Sequence, residues 1–218
     1  MLDRLLDSIQ ANRGRLGNGA LRLLSKESVP GFDHDATRLV VNVSGLGTTG
    51  YETEKVLRTE YRIQAEMSDF SNVVFISTAA DSPGTTDRLF DALACLQQRS
   101  YSGAGPAAKA AGHEHMRKWS RLKQRHADLM EQQMESWHAA SLEYRDIMGA
   151  DAERVRLADA AGRISKCVIS PYPPGAALIC PGEMITQEAV DFVMDVARAG
   201  GNIHGVDRDG AVLVLCRK

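Results

Sequence analysis

The chain has 218 residues and a formal net charge of −2, with 44% hydrophobic and 25% charged residues. Such a length suits one mid-sized domain or two small ones and buries roughly 70% of the unfolded surface, so folding requires no disulfide or metal staple. The near-neutral charge excludes the basic footprint of a nucleic-acid binder and gives no pull toward an anionic membrane.

The N-terminus reads MLDRLLDSIQ. Leu2, Leu5, Leu6 and Ile9 share one helical face, which predicts an amphipathic helix. Asp3, Arg4 and Asp7 interrupt the apolar residues, so the segment is not a signal peptide. No run of 18 apolar residues occurs, so no membrane span is expected and the chain is read as cytoplasmic. A second short helix is predicted over Ala20 to Leu24, before Pro30 and Gly31 break the chain. Thr37 to Val43 is β-branched and mostly apolar and predicts a buried strand. A glycine-rich turn, a helix over Tyr51–Glu60 and strands over Ile63–Met67 and Val73–Ile76 follow. Ser82-Pro83 opens a further helix, with proline near the first helical position, where its missing N–H costs nothing. That helix turns Leu89, Phe90, Leu93 and Leu96 inward.

Residues 100–112 (SYSGAGPAAKAAG) are rich in Gly, Ala and Ser and read as a linker between two domains. From His113 to about Tyr144 the spacing predicts a long helix with a stripe of Met116, Trp119, Leu122, His126, Met130, Met134 and Trp137. The stripe serves either packing against its own domain or a partner. Ala152 to Ile164 reads as another helix. Three prolines in Pro171-Tyr172-Pro173-Pro174-Gly175 preclude a helix and predict a stiff extended loop. Ala177–Cys180 is a short apolar strand, Pro181-Gly182 turns it, and Thr186 caps a helix that ends at Gly200-Gly201. Val212–Leu215 is the last strand, after a turn at Asp209-Gly210.

Four cysteines (Cys95, Cys167, Cys180 and Cys216) have neither a disulfide-framework nor a zinc-site spacing and are expected to be reduced and mostly buried. Gly45-x-Gly47-x-x-Gly50 follows a strand, opens a helix and precedes Glu66, the written form of a dinucleotide fingerprint. Its alternative is a glycine turn required by backbone geometry. His113-Glu114-His115 places its histidines at i and i+2, on different sides of a helix, so no metal site is expected. Glu183 sits between a rigid loop and a helix. It suits either binding the amine of a basic substrate or complementing the helix dipole. No Gly-x-Ser-x-Gly elbow or activated cysteine occurs, and no catalytic residue is assigned.

Three stretches then point to a family. They are Thr37–Glu52 (TRLVVNVSGLGTTGYE), Ile63–Asp69 continuing into Val73–Ile76, and Pro171–Thr186 (PYPPGAALICPGEMIT). In this order they resemble the bacterial ornithine/lysine/arginine decarboxylases of the aminotransferase fold. Ala160–Ile164 and Ile203-His204-Gly205 also fit. The resemblance implies an α/β (α+β) chain. Residues 1–99 would form part of the aminotransferase-like small domain, and residues 113–218 the family's C-terminal domain. It also implies that the glycine turn binds no dinucleotide, which leaves Gly45, Gly47 and Gly50 as a remote alternative.

Members of this family use pyridoxal phosphate, carried on a lysine that follows a Ser-x-His pair. None of the lysines here follows such a pair. The resemblance therefore implies that the cofactor-binding large domain lies before Met1, and that this chain binds no cofactor or metal alone and is inactive alone. It places the loop residues Tyr172, Pro173 and Gly175, together with Glu183, at the mouth of the active site. They would shape access and recognise a basic amino acid without performing chemistry. Ala177 departs from the pattern, since relatives usually carry proline there. The implied partner is a pyridoxal-phosphate-binding decarboxylase domain or subunit, with a homodimer as a further form and with no nucleic acid or membrane. The alternative is a non-catalytic interaction module that binds decarboxylase subunits.

Overall fold

In a computed structural model the chain separates into two compact units, Met1–Trp119 and Ser120–Lys218. The structure describes residues 2–16, 19–103, 144–172 and 175–216, with isolated positions between 117 and 131. Both units combine helices with antiparallel sheets, an α+β arrangement.

The first unit runs α1 (Leu2–Arg13), β1 (Arg22–Leu23), β2 (Arg38–Asn42), α2 (Gly50–Glu60), β3 (Met67–Ser68), β4 (Asn72–Ile76) and α3 (Pro83–Gly103). Its sheet has the order β1-β2-β4-β3, every pair antiparallel. Leu39 lies opposite Phe75 and Val41 opposite Val73. With a side-chain period of two, these four share one sheet face. They join Leu5 and Ile9 of α1, Leu57 of α2 and Phe90 and Leu93 of α3 in one core. A fully buried phenylalanine such as Phe90 contributes on the order of 1.5–3 kcal/mol.

α2 is started by a capping box. Thr49 Oγ1 accepts the Glu52 N–H at 3.1 Å, and the Glu52 carboxylate accepts the Thr49 N–H at 2.9 Å. The helix expected over Ala20–Leu24 is instead β1, with Arg22 opposite Asn42 and Leu23 opposite Val41. The strand expected from Ile63 is shorter, starting at Met67, because the Ile63 N–H still bonds back to Leu57 O at 3.0 Å as α2 unwinds. α3 continues to Gly103, past Ser100 where the linker is expected to begin.

The second unit holds helical positions at 120–121, 124–125, 127–129 and 131, followed by α4 (Tyr144–Gly149), β5 (Ala152–Arg156), β6 (Ser170–Tyr172), α5 (Gln187–Arg198), β7 (Asn202–His204) and β8 (Ala211–Leu215). The apolar stripe from Met116 to Trp137 lies outside the described residues. The helix expected over Ala152–Ile164 is replaced by β5, a 3₁₀ turn at Leu157–Asp159 and a bend. β5 pairs with β8 from Ala152–Leu215 to Arg156–Ala211, and this ladder outweighs local helix propensity.

α5 supplies the centre of the unit. Val190, Phe192, Val193 and Val196 are buried with Ile169, Leu178, Ile179, Ile185 and Val214. Thr186 Oγ1 accepts the Ala189 N–H at 3.2 Å, as a cap should. Arg163, nearly buried, is held by Leu215 O at 2.7 Å and by the Glu153 carboxylate. The four cysteines are free thiols, three half-buried and Cys216 exposed, so none sits in the core. No described helix is long and apolar enough to cross a membrane.

Candidate functional site

Among the sequence candidates, the glycine fingerprint has a structural cause. β2 and β4 run antiparallel, whereas a dinucleotide crevice needs parallel strands joined by a crossover helix. A Cβ at Gly45 would stand 2.2 Å from Ala20 O, and one at Gly50 2.2 Å from Asp69 O and 2.3 Å from Asn72 O. Backbone therefore already fills the space a pyrophosphate would need, and the dinucleotide reading is corrected to a packing requirement. His113 and His115 lie outside the described residues, and no described cluster could hold a metal.

The proline loop is built on a paired base. The N–H and C=O of Ile169 bond to Ile179, at 2.9 and 3.1 Å, with both side chains buried. β6 then pairs with β7, with Ser170 opposite His204 and Tyr172 opposite Asn202. Pro171 offers no N–H, but its carbonyl accepts the Gly175 N–H at 3.0 Å, which closes the loop on itself. Gly175 closes it at φ 87°, a conformation an L side chain resists. Ser170 Oγ donates to Ala176 O at 2.9 Å. These bonds fix the loop base and leave Tyr172 42% exposed, its ring edge-on to His204 with centroids 5.4 Å apart. Pro173 and Pro174 lie outside the described residues.

Glu183 belongs to the next turn. Its N–H donates to Cys180 O at 3.1 Å across Pro181-Gly182, with Gly182 at φ 92°, the pattern of a type II turn. The turn is held from outside: Gly182 N–H donates to Ser165 O and Ser165 N–H to Glu183 O, both at 2.8 Å. Glu183 Oε2 folds back to accept the Cys180 N–H at 2.7 Å. Burial, and then the Glu183 charge, push the Cys180 thiol above its ordinary pKa. A carboxylate has about four acceptor sites, and the Cys180 N–H occupies one on Glu183.

Tyr172 and Gly175 thus come together in one turn, and Glu183 occupies a second turn on the same segment. Sequence reasoning missed His204 as the partner of the Tyr172 ring. The two lie 32 positions apart and meet only through β6–β7 pairing, which no local spacing signals.

Residues 121–211, which contain both turns, match the family model described as Orn/Lys/Arg decarboxylase, C-terminal domain. The chain carries an Orn/Lys/Arg decarboxylase C-terminal domain. It is 30% identical over 178 residues to an arginine decarboxylase of Bacillus subtilis, with 80% of this chain and 31% of the relative covered. An arginine decarboxylase of Halalkalibacterium halodurans is 27% identical over 212 residues, 96% of this chain and 38% of its own length. The fold matches the crystal structure of the Francisella novicida lysine decarboxylase with a TM-score of 0.63 at 19% identity, over 99% of this chain and 40% of that one. The chain thus spans about a third of the length of these curated relatives.

The described lysines of this decarboxylase domain and its companion unit do not fit a Schiff-base site for pyridoxal phosphate. Lys26 and Lys55 are exposed, and the Lys166 ammonium is taken up by Ala150 O.

Proposed function

We propose that these 218 residues form the C-terminal part of a pyridoxal-phosphate-dependent decarboxylase of a basic amino acid. In this reading the Schiff-base lysine and the cofactor come from a decarboxylase region outside the sequence. Tyr172, Pro173 and Gly175 shape the mouth of that active site, and Glu183 receives the distal cation of the substrate. The observation that carries the reading is the family match over residues 121–211, which spans both turns, in a sequence where no lysine follows a Ser-x-His pair. The reading places the chain in the cytoplasm, with the cofactor-binding region as partner and a second copy of the chain as a further one.

Pyridoxal phosphate supplies the electron sink for loss of the carboxylate when it is bound. The chain's own contribution is binding and orientation. A guanidinium or ammonium on Glu183 gains a charge-assisted hydrogen bond, and the stiff loop excludes water without paying to be ordered.

Purified chain supplied with pyridoxal phosphate is expected to give no carbon dioxide from ornithine, lysine or arginine. In the assembled decarboxylase, Glu183→Gln is expected to raise KM roughly tenfold with a smaller change in kcat, the loss of one charge-assisted bond. Turnover by the chain alone would overturn the division of labour, and an unchanged KM would remove Glu183 from substrate recognition.

A further inference from the structure

The unit Met1–Trp119 holds a cavity of about 210 Å³ where the end of α2, the end of β4 and the first turn of α3 meet. It has room for several waters, or for a small anion with a short organic part. Phe75 and Leu89 give it an apolar floor, and Arg62, Arg88, Thr86 and Asp81 line its walls.

Three of these wall residues keep polar groups that the fold leaves unpaired among the described residues. Arg62 has φ 54°, the left-handed position that closes α2 as the Ile63 N–H returns to Leu57 O, and a site where glycine costs less. Its side chain is exposed and makes no hydrogen bond or ion pair among the described residues. Arg88 spends only Nη2 on the fold, donating to Tyr61 O at 2.7 Å and to Arg62 O at 3.2 Å. Its Nε and Nη1 bond to no described residue. Thr86 is 3% exposed, and its hydroxyl oxygen has no hydrogen-bond partner among the described residues. An unpaired buried hydroxyl is costly unless something completes it.

Asp81 opposes this charge incompletely. Its Oδ2 is already engaged by the Thr78 N–H at 2.7 Å and the Thr78 hydroxyl at 3.3 Å. Two arginines therefore line the cavity against one committed carboxylate. Guanidinium groups match the planar fork of a carboxylate and the oxygens of a phosphate, and a partly enclosed wall strengthens such bonds.

We infer that this cavity binds a small oxyanion, a phosphate monoester or a carboxylate, through Arg62 and Arg88. The inference does not depend on the decarboxylase reading, because the cavity lies in the unit that does not carry the proline loop.

The test titrates the purified 218-residue chain with inorganic phosphate and, separately, with acetate, at ionic strength held constant by chloride. Amide shifts of Ile63, Ser77 and Thr86 are followed by NMR. Saturable shifts at these amides with either anion support the site, and the anion that saturates at lower concentration identifies the headgroup. Arg62→Gly relieves the backbone and is expected to keep or raise Tm while weakening binding about tenfold or more. Arg62→Gln, which keeps the side-chain volume, is expected to lose the same affinity. Shifts that fail to saturate with both anions, or an affinity unchanged in both variants, overturn the proposal.

Discussion

The two units bury comparable apolar residues by different means. In Met1–Trp119 one four-stranded sheet offers a continuous face, and α1, α2 and α3 contribute to a single cluster on it. In Ser120–Lys218 two separate two-stranded ladders and several turns surround α5, joined by backbone bonds such as Gly162 N–H to Ile185 O and Ile185 N–H to Arg163 O. The first unit therefore depends on side-chain packing and close backbone approach. The second depends on turns whose shape sets where the loop and Glu183 point. That difference places the candidate access loop where local geometry is written by turn residues.

Substitutions can break or sharpen this contrast. The largest effect is expected from Gly50→Ala, because the added Cβ meets two backbone carbonyls, which cannot rotate away. About 3 kcal/mol is expected to be lost in urea denaturation, and a loss below about 1 would contradict the packing account. Gly182→Ala is expected to cost less, about 1–2 kcal/mol. Its φ of 92° is strained for alanine, but the atom its Cβ meets is the movable end of Ile147. Helix caps come next. Thr49→Ala removes half of a capping box and is expected to cost about 1–2 kcal/mol, against about 1 for Thr186→Ala, where a single bond is lost.

The smallest effect is a chemical one. Glu183 raises the Cys180 thiol, so Glu183→Gln is expected to lower its pKa and increase the thiolate fraction between pH 8 and 9. Iodoacetamide should label Cys180 a few-fold faster in that window. The difference should shrink at higher pH, as the thiol ionises in both proteins.

Strands β2 and β4 are legible from their β-branched runs, and α3 from the spacing of Leu89, Phe90, Leu93 and Leu96. β1 is not, because two residues carry no period and Arg22–Leu23 becomes a strand only through its neighbour β2. Ala152–Arg156 misleads in the other direction. Ala, Glu and Arg favour a helix locally, and a partner some 60 residues away decides otherwise. At the site, the prolines and glycines of the two turns announce themselves, since those residues fix φ directly. His204 and the Arg62–Arg88 cavity do not. Each is assembled from segments whose meeting depends on the fold.

Isolation of the tagged chain from its source cells, with the recovered polypeptides identified by mass spectrometry and the eluate assayed for decarboxylation, tests the central claim most directly. The account predicts recovery of a decarboxylase region carrying a lysine after a Ser-x-His pair, with turnover of ornithine, lysine or arginine in the eluate. Recovery of the 218 residues alone, or only as copies of themselves, with no turnover, would contradict it.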